Sequence, residues 1–143
     1  MARRTPEGPA PAPVVQRVRL RYAKRGRLRF SSHRDFARAF ERALRRAAIP
    51  MAYTAGFHPH PKISYLGAAP TGIASEAEFA EIALDREVDL DQLRDRLDEA
   101  LPDGMDIIEA VAAGPGSLAE RLQGSHWRLE LPGVGMQALE EAV

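Results

Sequence analysis

Arg17, Arg19 and Arg21 alternate with Val18, Leu20 and Tyr22, and that pattern commits this part of the chain to one structure. A period of two places the apolar side chains on one face of a strand and the arginines on the other. Leu28 and Phe30 continue the alternation against Arg27 and Arg29 beyond a turn predicted at Lys24-Arg25-Gly26, so the arginine face is expected to carry across that turn. The period then changes. Ser32-His33-Arg34-Asp35 fits a capping box, with Ser32 as cap and Asp35 three residues on. The spacing predicts a helix from there to about Ala47, stopped by Pro50. Phe36, Phe40, Leu44 and Ala47 form its buried stripe, while Arg34, Arg38, Arg42, Arg45 and Arg46 populate the other side, relieved by Glu41. Like charges at i,i+4 cost roughly 0.2–0.5 kcal/mol per pair, which the helix propensity of arginine makes bearable.

The remaining elements follow the same rules. Met51–Thr54 predicts a short strand, and Pro70-Thr71-Gly72 a turn. Phe79, Ile82 and Leu84 predict another strand, and Leu90, Leu93, Leu97 and Leu101 a second helix opened at Asp89 and closed by Pro102 and Gly104. Asp85, Glu87, Asp89 and Asp91 lack the spacing of a calcium loop and read as a solvated strand-to-helix junction. Met105–Val111 and His126–Leu131 read as strands, and a helix is expected from about Met136. The first six elements match an α+β fold of the ferredoxin-like, split β-α-β kind, an antiparallel sheet with both helices on one face. Residues 1–13, rich in Pro and Ala, are expected to be a disordered tail, 14–113 the ferredoxin-like domain, and 114–143 the start of a second, truncated α/β unit or a C-terminal extension. In that fold the Arg17, Arg19 and Arg21 face is expected on the open side of the sheet.

Charge is divided along the chain. Residues 1–65 carry fifteen Lys or Arg against three acidic residues, and residues 66–143 carry five against seventeen, so a net charge of zero hides halves of +12 and −12. A basic half facing a polyanion is one reading of that division. A protein partner and a solvated surface are the others. Apolar residues make up 45% of the 143, enough for one ordinary domain, and no apolar run approaches membrane-spanning length. No h-region follows the charged first residues, so a cytoplasmic protein is expected. The absence of cysteine excludes disulfides and thiolate-held clusters within this chain.

Gly56-Phe57-His58-Pro59-His60-Pro61-Lys62-Ile63-Ser64-Tyr65 sits at the seam between the two halves. If the segment is extended, His58, His60, Lys62 and Ser64 share one parity, with the two imidazoles ~6.6 Å apart at a rise of ~3.3 Å per residue. Each proline restricts the residue before it to extended geometry and cannot donate to a ladder, so a sheet edge or rigid loop is expected. Three roles are open to these histidines. They bind a metal together with His33 or an acidic residue, since two histidines alone are too few. Alternatively, they contact phosphate or work as acid and base with Lys62. The third role is to brace the loop through backbone hydrogen bonds. His126, beside Trp127, reads as a packing residue. Tyr22, Phe30, Tyr53, Phe57 and Tyr65 are candidate stacking surfaces, with Tyr22 and Phe30 expected in the core by parity.

Four stretches carry a resemblance: Arg27-Leu28-Arg29-Phe30-Ser31-Ser32-His33-Arg34-Asp35, Ala43-Leu44-Arg45-Arg46-Ala47, Tyr53 through Ser64, and Gly72-Ile73-Ala74-Ser75-Glu76-Ala77-Glu78. Together they resemble the radical-SAM-associated bacterial domain of unknown function DUF2344. The resemblance covers most of residues 15–111 and extends more loosely to the C-terminus. Where relatives often read Ser-His-Leu-Asp, this chain has Ser32-His33-Arg34-Asp35, one more positive charge. The resemblance implies a radical SAM protein as partner, with an iron–sulfur cluster and S-adenosylmethionine on that partner and no cofactor in this chain. It assigns no reaction.

The expected function is an RNA-binding accessory module that presents a structured RNA, tRNA or rRNA, to the radical SAM enzyme. Arg17, Arg19, Arg21, Arg38, Arg42 and Arg45 are the expected phosphate contacts, with His58, His60, Lys62 and His33 as candidates for chemistry at the target. Two alternatives stand beside it. One is an interaction subunit docking on the radical SAM enzyme; the other is a metal-dependent enzyme using His33, His58 and His60. The RNA reading requires the arginines of the first strand and first helix to gather into one exposed patch.

Overall fold

Val18, Leu20 and Tyr22 are buried and the residues between them are not, as their alternation requires, and they belong to strand β1, Gln16–Lys24. The computed structural model describes residues 13–66, 69–121, 124 and 126–142. Most of the tail expected over 1–13 therefore lies outside the described residues. Helix α1, His33–Arg46, opens with the predicted capping box: the Ser32 hydroxyl accepts from the Asp35 N–H, and the Asp35 carboxylate accepts from the Ser32 N–H. Strands β2, Ile63–Leu66, and β3, Ser75–Leu84, follow. Helix α2, Leu90–Ala100, is capped by the Asp89 side chain accepting from the Gln92 N–H, and β4 spans Met105–Ala112.

The sheet order is β2-β3-β1-β4, with every neighbouring pair antiparallel. With one helix between β1 and β2 and another between β3 and β4, this is the α+β, ferredoxin-like arrangement. One apolar cluster joins Val18, Leu20 and Tyr22 of β1 and Ala80, Ile82 and Leu84 of β3 to Phe36, Phe40 and Leu44 of α1 and Leu93 and Leu97 of α2. Both helices therefore cover the same sheet face. Tyr22 and Phe36 stack with ring centroids 4.3 Å apart, and Phe36 continues to Phe40 at 5.5 Å. Truncating a fully buried phenylalanine such as Phe40 to alanine costs about 3–5 kcal/mol.

Four sequence expectations are corrected. Residues 26–30 form a 3-10 turn rather than a continuation of the strand. The turn is set by the Leu28 N–H donating to the Arg25 carbonyl, and its start is pinned by the Arg25 N–H donating to the Gly104 carbonyl at 2.7 Å. A side chain at Gly104 would come within 2.7 Å of the Arg25 carbonyl, so the close approach needs glycine there. Phe30 consequently lies outside the core and is 58% exposed.

The second correction concerns β2. Met51 and Tyr53 make only isolated bridges, to Leu84 and Pro61, and the strand proper is Ile63–Leu66. Pairing is handed over at Ala83, whose carbonyl accepts from the Ala52 N–H while its own N–H donates to the Lys62 carbonyl. Residues 54–60 leave the sheet as a hairpin, closed by the Thr54 N–H on the His60 carbonyl and the His60 N–H on the Thr54 hydroxyl. Pro59 and Pro61 have no N–H for a ladder, and Gly56 turns at φ 110°.

Third, β3 begins at Ser75, and its inward parity is Ala80, Ile82 and Leu84, with Phe79 only partly buried. Fourth, the described residues of His126–Leu131 form no strand; beyond β4 the regular elements among the described residues are two short helices, α3, Leu118–Arg121, and α4, Met136–Ala142.

Candidate functional site

Arginines from the basic half meet two different environments. On β1 the cross-strand register sets Arg19 opposite Glu81 of β3 and Arg21 opposite Glu109 of β4. Arg19 Nε donates to Glu81 Oε1 at 3.0 Å, and its Nη2 donates to the carbonyls of Gly114, at 3.3 Å, and Gly116, at 2.6 Å. The loop after β4 therefore crosses the sheet face expected to be open, and the Arg19 and Glu81 side chains keep only 11% and 18% of their exposure. Arg21 reaches Glu109 at 3.7 Å. Just beyond the strand, Arg25 joins Glu76 and Asp106, at 3.0 and 3.4 Å. Carboxylates of the acidic half thus neutralise much of this row, and Arg17 is exposed at its end.

Helix α1 has no such partner among the described residues. Phe36, Phe40, Ala43 and Leu44 face the sheet. At 100° per residue, Arg34, Arg38, Arg42 and Arg45 fall on the opposite side, and all four are exposed. Arg46 lies at the flank facing α2, where it lines an open groove with Arg96 and Glu99. Arg96 Nη2 donates to the Ala47 carbonyl at the end of α1. Among the described residues no ion pair engages any of the five α1 arginines. Arg45 and Arg46 favour the negative end of the helix dipole; Arg34 opposes it, with Asp35 beside it as compensation. The required single patch does not form: α1 covers one face of the sheet, and Arg17, Arg19 and Arg21 point from the other.

The candidate histidines are separated as well. His33 lies at the start of α1 with its ring edge-on to Tyr65 at 4.9 Å. His58 and His60 are exposed on the hairpin, and Lys62 is half-buried where the hairpin rejoins the sheet. From Tyr65 back to His60 is five residues of mostly extended chain, on the order of 15 Å. Among the described residues no three His, Asp or Glu side chains gather as a metal site. His126 is exposed beside the exposed Trp127, and not in a packed strand. Of the five candidate aromatics, Phe30, Tyr53 and Phe57 are exposed, whereas Tyr22 is buried and Tyr65 half-buried.

Two charged residues escaped the sequence reading. Lys24 and Glu78 are the buried charged side chains among the described residues, at 5% and 6% exposure. Both follow from parity: Lys24 continues Val18, Leu20 and Tyr22, and Glu78 precedes Ala80, Ile82 and Leu84. Assigning Lys24 to a turn concealed that signal. Lys24 Nζ donates to the carbonyls of Ala69 and Pro70, at 3.0 and 3.4 Å, and Glu78 Oε1 accepts from the Ala69 N–H at 2.8 Å. The pair therefore anchors the loop entering β3, and with Tyr22, Ser31, Ser32 and His33 it lines a cavity of about 10 Å³, room for one water. Burial, then Glu78 and Tyr65, push the Tyr22 phenol well above its ordinary pKa; burial, then Glu41, do the same for Tyr65. The Tyr65 hydroxyl is buried without a hydrogen-bond partner among the described residues.

The profile of a bacterial family described as an uncharacterized protein conserved in bacteria, DUF2344, matches residues 17–143. The chain belongs to that family. No curated protein matches the sequence. The DUF2344 match begins within β1 and takes in α1, the hairpin and the Lys24–Glu78 anchor, so every candidate residue above falls inside it. Among the described residues no helix is long and apolar enough to cross a membrane.

Proposed function

We propose that this DUF2344 chain is an RNA-binding accessory module that presents a structured RNA to a radical SAM partner enzyme. The observation that carries the RNA part is the row Arg34, Arg38, Arg42 and Arg45, exposed on one face of α1 and without carboxylate partners among the described residues. A helix at 1.5 Å rise places such a row along roughly 17 Å, the span of several phosphates. Phosphate contacts position a nucleic acid without reading its bases. The β1 arginines drop out of the phosphate-binding set, since Arg19 and Arg21 are paired with carboxylates and Arg17 stands apart from the α1 row, and Arg46 joins the set. His58 and His60, exposed on the hairpin that follows α1, and Lys62 where it rejoins the sheet, are the residues that would approach the target. In this proposal the iron–sulfur cluster and S-adenosylmethionine reside on the partner, since this chain has no cysteine to hold a cluster.

Binding of a folded RNA should be measured by fluorescence anisotropy from 50 to 200 mM salt. Five phosphate contacts predict a loss of roughly 100- to 500-fold across that range. A flat response, or no binding at 50 mM, would refute the proposal.

One observation favours a second reading, an interaction subunit docking on the radical SAM enzyme. Phe57 is exposed near the tip of a proline-stiffened hairpin, with Tyr53 exposed at its base, and exposed aromatics of this kind serve as protein anchors. Copurification that survives nuclease but is lost with Arg38→Glu and Arg42→Glu, or with Phe57→Ala, would favour docking over RNA.

A further inference from the structure

Phe30 is a large aromatic side chain that the fold leaves more than half exposed. It is held in place even so. The Arg29 guanidinium lies over one face of the ring, 4.3 Å from its centroid, and is fixed by donating from Nη1 to the Gly26 carbonyl at 3.0 Å. The backbone of the same turn is tied to the next loop by the Gly72 N–H donating to the Arg29 carbonyl at 2.6 Å. Gly72 runs beside the ring: a side chain there would touch Phe30 at 3.9 Å, and its φ of 95° disfavours any residue that has one. One edge of the ring is thus kept bare by glycine, and one face carries a cation.

A largely exposed aromatic backed by a cation is the kind of surface on which an unpaired base stacks. Its neighbours supply the rest of a nucleotide site. Arg27, in the same 3-10 turn, and Arg34, in the first turn of α1, are exposed, and no ion pair among the described residues engages either. Arg34 is also the first member of the α1 row, and Phe30 ends the turn that leads into that helix. We propose that Phe30, backed by Arg29, is a stacking platform for an unpaired base of RNA, with Arg27 and Arg34 holding the flanking phosphates. The inference rests on the RNA reading above and deepens it: the ligand is RNA with an accessible single-stranded loop, and not a continuous duplex.

The test compares a 12-nucleotide unstructured RNA and a blunt RNA duplex as probes, at 50 mM salt. The proteins are the whole chain, Phe30→Leu, Phe30→Trp, and the double variant Arg38→Glu with Arg42→Glu. Leucine keeps an apolar side chain at an exposed site without a π face, and a thermal melt confirms folding. Phe30→Leu should weaken single-strand binding about tenfold, leave duplex binding within twofold, and be rescued by Phe30→Trp. The double variant should weaken both probes. Equal binding by Phe30→Leu and the unaltered chain, or an equal loss on both probes, overturns the stacking platform while leaving the RNA reading intact. Failure of the unaltered chain to bind either probe overturns both.

Discussion

The arginines of β1 and those of α1 are the same residue type, from the same basic half of the chain, and they end in opposite circumstances. On β1 the neighbours at the same height on β3 and β4 are Glu81 and Glu109, so register delivers a carboxylate to each of two guanidinium groups. On α1 four arginines share the outer face with only Asp35 and Glu41 of the helix itself near them in sequence, and among the described residues no ion pair joins any of them to the acidic half. Charge counted along a sequence therefore reports a ligand-binding surface only where the topology withholds the counter-charge. Arg19 on β1 is internal cement, and Arg21 makes a longer, exposed pair. The α1 row has no ion-pair partner among the described residues.

The largest expected effect breaks that comparison at α1. Arg38→Glu, Arg42→Glu and Arg45→Glu together should weaken RNA binding at least a hundredfold by anisotropy at 50 mM salt, while a urea titration shows a stability change under about 1 kcal/mol, as for exposed surface positions. The mirror experiment is Arg19→Ala. It leaves the largely buried Glu81 carboxylate without its charged donor and removes two bonds to the 114–116 loop, so urea unfolding should show a loss of roughly 1.5–3 kcal/mol. RNA affinity should stay within twofold. Arg21→Ala, whose pair with Glu109 is longer and exposed, should cost less than about 1 kcal/mol.

A smaller effect tests the aromatic end of the core. Both phenols titrate above their ordinary value in the folded protein. Their contribution is therefore complete below the unfolded pKa of about 10 and is lost as pH rises toward the folded values, because the unfolded chain releases its protons first. Tyr65→Phe should reduce that alkaline loss in urea titrations at pH 9 and 10.5. Because the Tyr65 hydroxyl has no hydrogen-bond partner among the described residues, the same variant should be close to neutral in stability at pH 7.

Much of the architecture was legible because period and capping are local. The apolar alternation of β1, the Ser32–Asp35 box, the leucine spacing of α2 and the Pro70-Thr71-Gly72 turn all predicted what formed. The expectations that failed depended on distant neighbours. The Arg27–Phe30 alternation was overridden by the Gly104 contact, and the Met51–Thr54 strand by the handover of pairing at Ala83. By contrast, the His/Pro segment does form a loop that rejoins the sheet at its edge strand. His126–Leu131 has strand-like alternation, but no strand forms among its described residues. The arginine patch was misjudged for the same reason, since pairing with Glu81 and Glu109 is fixed by register across 62 and 88 positions of sequence. Lys24 and Glu78 were readable in principle, by extending the inward parity of their strands through a charged residue.

The most direct test of the α1 account is the slope of log affinity against log salt for a folded RNA, measured on the unaltered chain, on Arg38→Glu/Arg42→Glu and on Arg19→Ala. The account predicts a steep slope that flattens by about two contacts in the α1 variant and is unchanged in the β1 variant. Equal slopes for the unaltered chain and the α1 variant, or a slope that flattens only when Arg19 is removed, would contradict it.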